Sequence, residues 1–476
     1  MAEPLAKSIC ENCVALSSRW EQLQREFEAF RRSSTATISR LQSEVERLQR
    51  LSKRPAAPFR KQEEPSGVAK KPGRKKGKRY GRQARRAIPD KIDETIPVPL
   101  PDACPHCDGT SLVETHVVSQ YQTDIPQTVI VRQFDVSIGH CGSCEKSVQG
   151  RHPLQTSTAV GAAGSQFGPN LHAALATMNK ELGLSLGKCA KLLSRLFHGL
   201  NIARATVYRS MARTAMKLTL AYEKLRRDVK ASPMVSPDET GMRIGGRPGW
   251  LHAFVGHGSK RQATVYEIVP TRSSEPIRNL LGPDWSGWLI RDGWSPSNAL
   301  THAKQQMCLQ HIQRRCQGLL ETAKGIATRL PLAVLDRIDR AFAIRRTWRG
   351  HRLDKIGRVE AGAKLMDEWH ETISGTFTFD PNRKLANHLL DHSPLDWFGF
   401  LLDPNVPATN YLSEQAIRPA VVNRKVWGGN RMQNGAHVQG VLMSVIRSCI
   451  QRLTEPFAFL KKAICSPKPI LVPVGR

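Results

Sequence analysis

No stretch of this chain approaches the ~20 consecutive apolar residues that cross a bilayer. Its first residues, M-A-E-P-L-A-K-S-I-C, lack the charged-then-apolar order of a secretory signal. Those two absences predict a cytoplasmic protein with no membrane partner, associated with the nucleoid of a bacterium if nucleic acid is its ligand. Negative charge is also scarce: 41 acidic residues stand against 71 Lys and Arg, a formal charge of +30. An imbalance of that size calls for a polyanionic partner, and nucleic acid is the commonest one. Disulfides are excluded by the same compartment, because the cytosol keeps thiols reduced; the eleven cysteines then point to metal binding. At 476 residues the chain has room for a few domains.

What is present begins with a helical pattern over residues 14–52. Leu16, Trp20, Leu23, Phe27 and Phe30 recur at coiled-coil spacing, as do Ile38, Leu41, Val45 and Leu48. The register slips between the two sets, which locally unwinds a left-handed supercoil. The pattern predicts a dimerising coiled coil, hence a homodimer or higher oligomer. Residues 53–90 carry fourteen Lys or Arg between Lys53 and Arg86, among prolines and glycines. Such a segment cannot bury enough apolar surface to fold alone. It reads as a disordered basic arm whose Arg74, Lys75, Lys76, Lys78 and Arg79 contact phosphates without regard to sequence.

Residues 95–155 hold C-P-H-C (Cys104, Cys107) and C-G-S-C (Cys141, Cys144), with two or three strands expected between them. Four thiolates close a tetrahedral structural zinc site, so the segment reads as a zinc ribbon with one Zn²⁺. The earlier C-E-N-C (Cys10, Cys13) has no visible partner pair. Residues 160–230 are helical by pattern, with a turn near Gly199 to Asn201. The hairpin is either a helix-turn-helix, bringing Arg204, Tyr208 and Arg209 to DNA, or an ordinary pair of helices.

From Met234 the period changes to that of strands. We expect strands at 234–238, 250–256, 262–269, 287–292 and 306–309, with helices near 273–281, from Pro296 and from His311. Residues 320–405 read as a helical insertion. Three acids stand out: Asp238 in V-S-P-D-E-T-G, Asp292 closing W-S-G-W-L-I-R-D-G, and Glu414 in N-Y-L-S-E-Q-A-I-R-P. Two carboxylates at strand ends and a third on a later helix can converge. Hard divalent cations take oxygen ligands, and two of them about 4 Å apart can activate an attacking oxygen and stabilise a leaving one. On so basic a chain the substrate for that chemistry is a phosphodiester. Glu239, next to Asp238, should face the other side of its strand.

These features together resemble the insertion sequence 66 family of transposases over nearly the whole chain. The resemblance rests on the coiled coil, the basic arm, both knuckles with D-I-P before the second, and D-E-T. It also includes R-D-G-W, M-C-L-Q-H and N-Y-L-S-E-Q-A-I-R-P-A-V-V-N-R-K. It implies a multidomain α+β protein. An RNase H-like α/β catalytic core would be split between 231–319 and 406–455, with a tail at 456–476. It further implies that Asp238, Asp292 and Glu414 are a DDE triad holding two Mg²⁺, with Mn²⁺ as a substitute. The activity would be hydrolysis at transposon ends and strand transfer into target double-stranded DNA, with accessory proteins of the same element as further partners. The alternative is a catalytically inactive DNA-binding regulator of transposase origin. Arg418, Arg424, Lys425 and Trp427 become DNA-contact candidates. After Lys425 the chain departs from the family pattern, with Val426, Trp427, Gly428 and Gly429. The family's C-x-x-H element falls on Cys308 and His311, too few ligands to close a zinc site alone, and expected to pack the corner behind Asp292.

Overall fold

The fold is described from a computed structural model, over residues 18–20, 22–31, 33–34, 37, 89–103, 105–115, 117–122, 128–160, 167–293, 298–349 and 354–475. The basic-arm cations, Cys10, Cys13, Cys104 and the second half of the heptad stripe lie outside these residues. The chain forms two compact units, Met1–Thr123 and Asp124–Arg476.

In the first unit residues 22–31 are helical. Trp20, Leu23, Phe27 and Phe30 all stand exposed, an apolar stripe of the kind a coiled coil covers. Cys107 is exposed in a turn.

The second unit opens with a hairpin of β1 (Ile138–His140) and β2 (Ser147–Gln149), paired Ile138 to Gln149. Its turn is the C-G-S-C knuckle, closed by Cys141 N–H to Lys146 O and Glu145 N–H to Cys141 O. Of the two or three strands expected between the two knuckles, the described residues show one, β1; its partner β2 follows the second knuckle. Amides of Ser143 and Cys144 hold the Cys141 thiol below the ordinary cysteine value.

Helices α1 (Pro169–Ala176), α2 (Leu186–Leu196), α3 (Arg204–Lys217) and α4 (Thr219–Lys230) follow. Ser185 caps α2 by accepting from Lys188 N–H. Gly199, at φ 83°, turns the chain before α3.

The sheet comes next. Strands β3 (Met234–Ile244), β4 (Arg247–His257) and β5 (Ala263–Val269) form an antiparallel meander. Helix α5 (Glu275–Leu281) precedes β6 (Trp288–Arg291), which pairs in parallel with β3; β7 (Lys304–Met307) pairs in parallel with β6. The order is β5-β4-β3-β6-β7, so the architecture is mixed α+β around a mixed sheet. β3 runs past Asp238 to a turn at Gly245 and Gly246, both at positive φ, the conformation a tight hairpin demands. Asp238 is therefore mid-strand, not at a strand end. Among described residues the helix expected from Pro296 is reduced to a short turn at 298–299.

Helix α6 (Leu309–Leu320) leads into the insertion: α7 (Arg329–Arg349), α8 (Lys355–Ile373), α9 (Asp380–Leu390) and α10 (Pro394–Phe398). Trp369, Trp397 and Phe398 are fully buried there with Leu365 and Leu385. Each such side chain contributes about 1.5–3 kcal/mol by leaving water. Gln306 of β7 docks the insertion, donating to Trp397 O and accepting from Phe400 N–H. The chain returns through α11 (Tyr411–Trp427), a short β8 (Gly429–Asn430) beside the end of β3, α12 (Gln433–Gln451) and α13 (Pro456–Cys465).

α12 packs across β5, its Val441, Leu442 and Val445 joining the core of α1 to α4. The segment expected as a tail thus holds a helix, and Val472 beyond it is buried. Arg452 and Asp228 form a buried ion pair at 2.8 Å. Arg452 also donates to the carbonyls of Gln262, Arg261 and Val472, clasping the end of the chain to the β4–β5 turn.

Candidate functional site

Register brings the two aspartates together. Met234 and Val235 pair with Trp288 and Leu289; counting four residues on from the first pair sets Asp238 and Asp292 at one level. Cys308 follows Met307, the partner of Arg291, and its N–H donates to Arg291 O at 2.7 Å. It therefore stands at the same level, one strand further out. Asp238 lies opposite Ala253 in β4, and Ala253 packs with Ile417 and Ala420 of α11. Directly opposed residues share a face, so Asp238 points towards the helix that carries Glu414. Glu239 lies opposite His252 on the other face, its carboxylate engaged by Arg272. Arg272 stacks over Trp250, 4.5 Å from the ring centre.

The start of α11 is fixed by Asn410, which the sequence did not single out. Its Nδ2 donates to Pro237 O at 2.9 Å, one residue before Asp238. Its own N–H donates to Cys308 Sγ at 3.2 Å. Its carbonyl accepts from Glu414 N–H and Ser413 Oγ. One buried residue, through its side-chain amide and its backbone, thus ties β3, the end of β7 and the first turn of α11, where a carboxylate is favoured by the helix dipole. Asn410 stands four residues before Glu414, but its side chain makes no cap bond to its own helix and acts across the fold instead.

The electrostatics register this convergence. The Asp238 carboxyl is pushed up to about 7, first by burial and then by the negative charges of Asp292, Glu414 and Glu239. The Glu239 N–H, donating at 2.7 Å, only partly offsets this. Asp292 is exposed, beside the buried Arg291 guanidinium, which Gln305 and Asn298 hold in place. A carboxyl whose proton affinity is raised by neighbouring acids favours a cation beside it. Oxygen donors suit Mg²⁺ or Mn²⁺ by their chemistry, although among the described residues the three carboxylates are not a group whose ligand atoms all lie within 4.8 Å of one another.

The structure also sets His311 and Cys308 beside the third acid. Cys308 Sγ, a ring nitrogen of His311 and a Glu414 carboxylate oxygen all lie within 4.8 Å of one another. His311 Nε2 is 3.8 Å and Arg314 Nη2 3.5 Å from Glu414 Oε1. Burial pushes the Cys308 thiol up. The pair does not merely pack a corner; it adjoins Glu414.

The other candidates divide. Arg418 and Lys425 are exposed on α11. Arg424 is half-buried and donates to Thr240 Oγ1 and Gly241 O, binding α11 to β3. Trp427 has Lys180 over its ring at 5.1 Å. Arg204 lies against Gly187 at the start of α2, and Arg209 is exposed. Tyr208 Oη accepts from Asn434 of α12, and α3 packs on α1, α2, α12 and α13.

Set beside known proteins, this mixed sheet with its acidic centre belongs to a transposase domain. More narrowly, the chain is a member of the Transposase IS66 family, whose profile matches residues 164–438. A relative, "Uncharacterized protein y4hP" of Sinorhizobium fredii (strain NBRC 101917 / NGR234), is 22% identical. That match covers 94% of this chain and 84% of the relative. Among the described residues no helix is long and apolar enough to cross a membrane.

Proposed function

We propose that the chain is an active DNA transposase of DDE type, cutting at transposon ends and joining the freed 3′-hydroxyl to target DNA. The observation that carries this is the shared level of Asp238 and Asp292, with Asp238 held near 7 by burial and by the charges of Asp292 and Glu414. The strand order of the sheet, antiparallel meander first and parallel strands after, supports an RNase H-like core.

Asp238, Asp292 and Glu414 would hold the ions. Divalent cations, when bound, supply Lewis acidity to the scissile phosphate and lower the pKa of the attacking water. In the cut, a water oxygen bonds to phosphorus, the bond to the 3′ oxygen breaks, and that oxygen leaves with the electron pair and takes up a proton. In the transfer the 3′-hydroxyl attacks a target phosphodiester in the same way, releasing a new 3′-hydroxyl. Asn410 and Arg424 keep Glu414 and Asp238 in one frame through both steps. Arg418 and Lys425 face outward to phosphates, with the arm adding contacts that weaken with salt. Within α2 and α3 the packing of Tyr208 favours the ordinary hairpin, leaving exposed Arg209 as the outward cation.

The test is an excision and integration assay in Mg²⁺ on DNA carrying the gene's own flanking sequences. Wild type should give breaks and joined products; Asp292→Asn, which removes a ligand charge at nearly constant shape, should bind the ends and give neither. Binding by both proteins without cleavage would favour the regulator. Metal analysis tests the ribbon formed by Cys104, Cys107, Cys141 and Cys144. We expect Cys141→Ser to lose about one zinc per chain relative to wild type; equal contents would remove the ribbon.

A further inference from the structure

We propose that Cys308, His311 and Glu414 form a binding site for a thiophilic divalent cation, Zn²⁺ foremost, whose occupancy withdraws Glu414 from the Mg²⁺ set and silences the enzyme. The inhibitory half of this rests on Glu414 being the third catalytic acid; the binding half does not.

The donor set is the argument. Sulfur, imidazole nitrogen and carboxylate oxygen within 4.8 Å of one another are a poor match for Mg²⁺, which prefers oxygen and octahedral geometry. They match Zn²⁺ or Co²⁺, for which three protein ligands and one open position are usual. Zn–S of about 2.3 Å and Zn–N of about 2.0 Å set ligands on the order of 3.5 Å apart. The three atoms therefore close on an ion with side-chain movement of about 1 Å. His311 sits one turn after Cys308, its N–H donating to Cys308 O, so both ligands come from one rigid helix start. Glu414 comes from the other side of the insertion on a helix that Asn410 fastens to Cys308 Sγ. His311 and Glu414 are each about one-third exposed, which gives an ion a way in. Cys308 bonds through its thiolate, releasing a proton as the metal binds.

The experiment uses the full chain. Wild type, Cys308→Ser and Glu414→Gln are stripped of loosely held metal, then titrated with Co²⁺ and with Zn²⁺. The wild type should take up one ion more than Cys308→Ser and show a sulfur-to-cobalt charge-transfer band that Cys308→Ser lacks. Glu414→Gln should bind that ion at least about tenfold more weakly. Equal stoichiometry in wild type and Cys308→Ser, or unchanged affinity in Glu414→Gln, overturns the site. In the cleavage assay Zn²⁺ should stop Mg²⁺-supported cutting by wild type, and Cys308→Ser should need at least about tenfold more Zn²⁺. Equal sensitivity overturns the inhibitory role. If no protein cuts DNA at all, the transposase reading fails while the metal titration still decides the site.

Discussion

Replacing Asp238 by asparagine should make the metal-free protein more stable above pH 7 and abolish cleavage, two effects of opposite sign from one carboxyl. Its folded value, about 7, lies above the ~3.9 of an unfolded aspartate. A group raised in this way adds stability below its unfolded value, and that stability is lost as pH climbs through the folded value. Metal-free wild type should therefore weaken between about pH 4 and pH 7 relative to Asp238→Asn. Three pKa units correspond to roughly 4 kcal/mol; with the repulsion shared among neighbouring acids, a difference of about 2–4 kcal/mol at pH 8 is expected. Mg²⁺ should restore stability to the wild type and leave the variant unchanged. Cleavage should fall at least about a thousandfold, because Lewis-acid stabilisation is worth several kcal/mol. Parallel melting curves from pH 4 to 8 for the two metal-free proteins would show that Asp238 is not strained by its neighbours.

Asp228→Asn should be the most damaging substitution outside the site. It leaves Arg452, only 2% exposed, as a buried cation without its charge partner, and such breaks cost about 3–5 kcal/mol. The melting temperature should drop by on the order of 10 °C. Lys224 touches the same carboxylate from a side chain that is 31% exposed, so Lys224→Ala should cost less than about 1 kcal/mol. Equal losses in the two variants would mean that the clasp of Arg452 on the chain end does not support the sheet.

The central elements were legible because their signals are local. The run W-L-I-R before Asp292 is a buried strand by composition alone, and β4 and β5 carry short apolar runs that are buried almost throughout. The resemblance supplied the pairing of distant acids, which no local pattern contains. What the sequence hid depends on contacts across the fold. Arg424 looked like a phosphate contact because nothing near it shows that Thr240 and Gly241 lie beneath it. Cys308 and His311 looked short of ligands because the third, Glu414, arrives only after the helical insertion. β3 looked shorter than it is because its polar far half pairs with β4 and β8, where backbone bonding overrides side-chain pattern. Segment 456–476 read as a tail because its buried anchors are one helix face and the single side chain of Val472.

The insertion between His311 and Glu414 also imposes an order on synthesis. A ribosome that has released residues up to 405 has made both aspartates and the whole thiol–imidazole corner, yet no third acid. α11 and α12, which close the sheet, come later still. On the proposed reading, the segments that would grip DNA emerge first and the third acid last. A chain stopped between the insertion and α11 would, on that reading, keep Asp238, Asp292 and the thiol–imidazole corner but lack Glu414, and so could not cut.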